Sequence, residues 1–204
     1  MDHLIFSPQV ALRGSRTYVH STTLYEQLIR AATSLGLQIR GPLDMRVNRL
    51  IRKQPSLCFC EGPLGANYEE PAVVSFYVGE TPWHCLVSER SERVTRSEVY
   101  DEESIRKNAI VEGQTIRLDG KVNASPFEVV TSLTLQLHNA LLSIPPGRKW
   151  FLGRVQLQRL LVEEDAQKIR ITLAKKTGLG LTRCAIEIST SAIGTIDFIL
   201  GPST

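Results

Sequence analysis

Apolar residues recur at helical spacing in two well-separated stretches: Leu24, Leu28, Ala32 and Leu35, then Val130, Leu133, Leu137 and Leu141. Each stretch opens on the same local chemistry. Thr23-Leu24-Tyr25-Glu26 and Ser125-Pro126-Phe127-Glu128 both fit a capping box, in which a hydroxyl and a glutamate satisfy free amides of a first helical turn. Proline at the first helical position strengthens the second. Gly36 and Pro145-Pro146 are placed to close the two helices.

The rest of the chain reads as strands. Val10–Gly14 and Thr115–Gly120 are short strand-like leads ending in glycine ahead of the helices. Four strand patterns follow the first helix, at Met45–Ile51, Leu57–Glu61, Ala72–Val78 and Trp83–Ser88. Four follow the second, at Arg154–Val162, Lys168–Ala174, Thr182–Ser189 and Gly194–Leu200. Alternation in Lys168–Leu173 and Cys184–Ile188 predicts strands with one buried face, joined by a glycine-bearing turn through Lys175–Gly180. The order strand, helix, four strands therefore occurs twice, which suggests an internal duplication. Residues 1–89 form the first unit and 112–204 the second; 90–111, charged and poor in large apolar residues, read as the linker. A helix inserted after the first strand of an antiparallel sheet predicts an α+β fold with the sheet wrapped around the helix.

Composition narrows the function classes. With 42% hydrophobic and 22% charged residues in 204, the chain is an ordinary globular one, long enough for two cores. No apolar run approaches the roughly 20 residues of a membrane span, and the amino end lacks signal-peptide character, so the expected address is cytoplasmic with no membrane partner. Net charge is +3, from −2 over residues 1–104 (11 basic, 13 acidic) and +5 over the remainder (13 basic, 8 acidic). The densest basic stretch, Arg46, Arg49, Arg52 and Lys53, has no interleaved aromatics, which argues against nucleic acid. Cys58, Cys60, Cys85 and Cys184 form no CxxC motif and have no nearby histidine pair, so structural zinc and disulfides are not expected. Cys58 and Cys60, two apart on a strand, point to one face and read as small buried hydrophobes. No metal and no nucleotide cofactor is expected.

The second unit also carries a resemblance. Arg159-Leu-Leu-Val-Glu-Glu-Asp165, followed by Ile171-Thr172-Leu173-Ala-Lys-Lys and Gly180-Leu181-Thr182-Arg183, resembles the hot-dog fold of 3-hydroxyacyl-carrier-protein dehydratases. The spacing from Arg159 to Asp165 matches the family's R-P-V-x-P-G-D turn, with Leu160, Glu163 and Glu164 in place of its proline and glycine elements. The resemblance implies two fused hot-dog units, each an antiparallel sheet around a central helix. It also implies action on an acyl thioester of CoA or acyl carrier protein. Neither the dehydratase H-F-P-G segment nor the hydratase N-x-x-H pattern is present, so thioester hydrolysis stands beside dehydration or hydration. A non-catalytic module that binds acyl groups or a protein is the alternative. Exposed sheet edges would leave room for a homo-oligomer.

The family's reaction site lies where the central helix begins. Free amides and the positive end of the helix dipole can polarise a carbonyl there while a base moves a proton. His20 is the first choice of acid or base, because its ordinary pKa is near neutral. Glu26 is a second, although its capping position gives it a structural job. Tyr18 offers a hydroxyl to an oxyanion. Thr22 and Thr23 at the start of the first helix, with Asn123 and Ser125 before the second, would bind substrate; Ser125 also reads as a cap. Lys175 and Lys176 would meet the phosphates of CoA or a phosphopantetheine arm, or else simply solubilise a hairpin. His84 and Cys85 face opposite sides of a strand and form no dyad. His138, among the leucines of the second helix, reads as a satisfied core or boundary histidine.

Overall fold

The computed structural model describes residues 3–64 and 69–203. The chain divides into two compact units. One comprises Met1–Tyr100 with Gln158–Leu160, the other Asp101–Leu157 with Leu161–Thr204. Residues 90–111, read from the sequence as a linker, divide between the two units.

The first unit contains β1 (Leu4–Phe6), β2 (Leu12–Arg13), α1 (Ser21–Ser34), β3 (Ile39–Val47), β4 (Lys53–Glu61), β5 (Ala72–Val78), β6 (Thr81–Arg93) and β7 (Ser97–Glu98). Five strands make an antiparallel sheet in the order β1-β4-β6-β5-β3, while β2 and β7 pair in parallel as a separate ribbon. Apolar side chains at alternate strand positions build the core, with Leu43, Met45, Leu57 and Phe59 almost fully buried and Phe59 edge-on to Phe76. Helix α1 buries Leu24, Leu28, Ala31 and Ala32 on one face. It ends in a Schellman motif: Gly36 has φ +74, and the amides of Gly36 and Leu37 donate to the carbonyls of Thr33 and Ala32.

The second unit contains α2 (Glu102–Lys107), β8 (Ala109–Glu112), β9 (Thr115–Leu118), α3 (Pro126–Leu141), β10 (Arg148–Leu157), a 3-10 turn at Glu163–Lys168, β11 (Ile169–Thr177), β12 (Leu181–Ile188) and β13 (Ser191–Pro202). Its sheet is antiparallel in the order β10-β13-β12-β11-β9-β8. The expected alternation is visible in β12, where Thr182, Cys184, Ile186 and Ile188 are buried. Helix α3 is buried around most of its circumference, from Phe127 through Leu137, and packs against β8, β9 and β11.

In both units two strands, a helix and four strands follow one another along the chain, but neighbours in the two sheets differ. After the helix, the first unit places its four strands in the order first, third, fourth, second; the second unit places them first, fourth, third, second. Connection length supplies a reason. Residues 62–71 separate β4 from β5, enough chain to pass β6, whereas only Gly178, Leu179 and Gly180 separate β11 from β12 and force an adjacent hairpin. Several boundaries also move. The strand expected at Met45–Ile51 is β3 at Ile39–Val47, and that expected at Arg154–Val162 is β10, which ends at Leu157. Among the described residues, no helix is long and apolar enough to cross a membrane.

Candidate functional site

The two helix starts are built differently. Ser125 is the N-cap of α3 and its hydroxyl accepts from the Glu128 amide at 3.4 Å, while the Glu128 carboxylate accepts from the Ser125 amide at 2.7 Å. That is the capping box expected from the sequence. The matching string Thr23–Glu26 does not cap. Helix α1 begins three residues earlier than that box implies, at Ser21, with His20 as N-cap and no side-chain cap hydrogen bond. The reason is tertiary: Glu26 Oε2 lies 2.6 Å from Arg13 Nη2, so its carboxylate is drawn to a buried guanidinium.

Arg13 is 7% exposed, with its Nε 3.3 Å from Glu98. Its guanidinium and that of Arg16 both lie over the ring of Tyr100, at 5.1 and 4.9 Å from the centroid. The His20 ring meets Tyr100 at 5.4 Å, tilted by 50°. Thus β2, the segment leading into α1, and Tyr100, two residues beyond β7, converge on one histidine.

His20 is 6% exposed, and its Nδ1 is 2.7 Å from Thr22 Oγ1. Nε2 has no hydrogen-bond partner among the described residues. Burial holds the imidazole pKa well below its ordinary value, and the nearby charges of Arg16 and then Arg13 press the same way. The ring is therefore neutral at pH 7, with one nitrogen oriented by Thr22. Around it, Ser21, Thr22 and Thr23 carry the first-turn amides that an α-helix leaves without internal partners. Thr23 is buried, and its hydroxyl is without a partner. Tyr18 stands half-buried two residues before His20. A half-open pocket of about 350 Å³ lies toward the other end of α1, lined by Ile29, Ala32, Leu37, Ile39 and Leu160 among others.

The second unit assembles less around α3. Asn123 is exposed in the turn before the helix, and Ser125 is committed to its cap. Lys175 and Lys176 are exposed on the outer end of β11. Strand register places Arg170 opposite Arg117, where β9 leads toward α3, and Lys175 is five residues farther along, roughly 16 Å. Asp165 is buried, and its carboxylate accepts from the Val162 amide at 2.9 Å, which fixes the turn that carries the family resemblance.

His138 is fully buried, as its position on α3 predicts, but it is not satisfied. Nδ1 has no partner, and Nε2 is 3.6 Å from Cys184 Sγ, with Trp150 and Phe198 packed against the ring. Burial lowers its pKa to about 4 and pushes the Cys184 thiol up to about 12, Asp197 adding to the latter. Cys85 is buried and His84 Nδ1 is 2.9 Å from Ser75 Oγ, so these neighbours make no dyad.

Solved structures give the fold its relatives. A protein assigned as a thioesterase II from Thermobifida fusca YX aligns over 98% of this chain and 93% of its own, with a TM-score of 0.50 at 10% identity. The chain is hot-dog-like in fold. A 12:0-ACP thioesterase from Umbellularia californica covers 99% of this chain and 97% of its own, at TM-score 0.44 and 11% identity. A dehydratase studied for the borrelidin and fluvirucin polyketide synthases covers 98% and 88%, at TM-score 0.40 and 15% identity. Neither a protein-family model nor a curated protein matches the sequence. At these identities the hot-dog likeness speaks for architecture alone.

Arg13, Arg16, Glu98 and Tyr100 are site residues that the sequence did not single out. Arg13 looked like part of a strand and Tyr100 like part of a linker. Their convergence on His20 is created by the β2–β7 pairing, which leaves no local signature.

Proposed function

We propose that this protein is two fused hot-dog units, each sheet wrapped around its helix, and that it acts on an acyl thioester carried by CoA or acyl carrier protein. The observation that carries this reading is the uncapped start of α1 beside a neutral, desolvated histidine. The amides of Ser21, Thr22 and Thr23 would hold the thioester carbonyl oxygen as charge builds on it. In hydrolysis, His20 Nε2 takes a proton from water as the water oxygen attacks the carbonyl carbon. The carbon–sulfur bond then breaks, and the imidazolium returns that proton to the leaving thiolate. In dehydration, the same nitrogen removes the proton α to the carbonyl, and the imidazolium delivers that proton to the 3-hydroxyl, whose carbon–oxygen bond breaks so that it departs as water. Thr22 orients the ring. Glu26 serves through Arg13, holding the guanidinium that stacks on Tyr100, and Tyr18 would offer its hydroxyl to the oxyanion.

The capped start of α3 favours a second reading for part of the molecule. With Ser125 and Glu128 occupied by each other, the second unit would bind an acyl group or a protein without catalysis.

The test is mass spectrometry of the purified protein with a panel of acyl-CoAs and 3-hydroxyacyl-CoAs, repeated with carrier-protein thioesters. Release of the thiol identifies a thioesterase, and a change of one water a dehydratase or hydratase. His20→Asn should lower turnover by about 10²-fold or more with an unchanged melting temperature. Full turnover in a His20→Asn, Glu26→Gln double variant would remove the catalytic reading, and an untouched panel would favour binding alone.

A further inference from the structure

A second cluster of chemically active side chains lies in the first unit, on elements that take no part in the His20 site. Strand β1 pairs antiparallel with β4, with Leu4 opposite Phe59. That register sets His3 beside Cys60, and Cys58 shares the face because alternate strand residues point the same way. Both cysteines are half-buried rather than buried, and His3 is exposed. The expectation of two small core hydrophobes is therefore not what the fold produces.

The geometry is that of a ligand set. His3 Nδ1 is 3.1 Å from Cys60 Sγ and 3.7 Å from Cys58 Sγ, and the two sulfurs are 3.8 Å apart. All three atoms thus fall within 4.8 Å of one another. A tetrahedral zinc ion with Zn–S near 2.3 Å and Zn–N near 2.0–2.1 Å spaces its ligands at ~3.8 Å for sulfur to sulfur and ~3.6 Å for sulfur to nitrogen. The triangle has nearly those edges already, so a cation could bind with small side-chain adjustments. Two thiolates and an imidazole suit zinc far better than calcium or magnesium, which take oxygen ligands.

We propose that His3, Cys58 and Cys60 bind one zinc-class divalent cation, leaving a fourth position for water or an exchangeable ligand. Binding forms two metal–sulfur bonds and one metal–nitrogen bond. The two thiols give up their protons to solvent, so no oxidant or reductant is consumed. The site ties the short edge strand β1 to β4 by coordination as well as by backbone hydrogen bonds.

Cobalt(II) is the probe. The full-length protein, stripped with a chelator and kept reduced with a phosphine, is titrated with Co²⁺ and followed by absorption. One equivalent should produce thiolate-to-cobalt charge transfer and tetrahedral d–d bands, and one equivalent of Zn²⁺ should bleach them. Cys60→Ser and Cys58→Ser should each abolish the two-thiolate spectrum. His3→Ala, a change at an exposed residue that leaves both thiols in place, should weaken Co²⁺ at least about tenfold, since even outer-shell changes at metal sites cost 10–100-fold. Circular dichroism of each variant monitors its fold. No charge-transfer band in the wild type, a spectrum that survives Cys60→Ser, or an affinity indifferent to His3→Ala would each overturn the assignment.

Discussion

His138 and His20 are both kept neutral by burial, but of the two only His138 has its unpartnered ring nitrogen fully buried. This difference has a consequence in acid. The folded protein protonates His138 near pH 4, against an ordinary value of 6.5, so the unfolded chain binds the proton first as pH falls. The residue's contribution to stability is complete above pH 6.5, declines between 6.5 and about 4, and is level below that. At pH 5 the loss amounts to about 2 kcal/mol, one and a half pKa units at 1.36 kcal/mol each. His138→Leu should remove this part of the acid sensitivity. Urea unfolding at pH 7 and pH 5 should show the wild type losing about 2 kcal/mol more than the variant over that interval. Equal losses would mean that the imidazole is solvated. The burial of His138 was legible from its leucine neighbours on α3; the missing partner was not, because the groups facing it come from β10, β12 and β13.

The two helix starts show how far a local motif reaches at the scale of an element. Ser125-x-x-Glu128 caps α3 as its sequence promises, because both partners are free to meet. Thr23-x-x-Glu26 has the same form and fails, because Arg13 claims the glutamate from a distant strand. Removing each hydroxyl should therefore give unequal results. Ser125→Ala should cost about 1 kcal/mol, the usual worth of an N-cap. Thr23→Val, which keeps the shape and deletes a buried hydroxyl that has no partner, should be neutral or slightly stabilising. Chemical denaturation of the two variants checks both, and an equal loss would reinstate Thr23 as a cap. Strands were legible by alternation and by hairpin glycines, while their edges drifted where the chain leaves a sheet without a turn signal, as at Leu157. The cysteine pair was visible as two thiols on one face. Its histidine partner was not, because only the β1–β4 register brings residues 3 and 60 together.

For the molecule as a whole, the twofold succession of strand, helix and four strands predicted an α+β fold, the resemblance carried by Arg159–Asp165 and Gly180–Arg183 implied a hot dog, and solved structures support that likeness. The neighbour order within each sheet was beyond such a reading, since it depends on whether a connection is long enough to pass a strand. Function was less legible still, as Arg13 and Tyr100 reach His20 through pairing between segments far apart in sequence. The unequal capping of α1 and α3 bears finally on stoichiometry. Two equivalent units would take up two molecules of a non-hydrolysable thioester analogue per chain. With the amides of only one helix start left uncapped, calorimetric titration should reach its equivalence point at a single ligand per chain, and His20→Asn should diminish that one event without uncovering another.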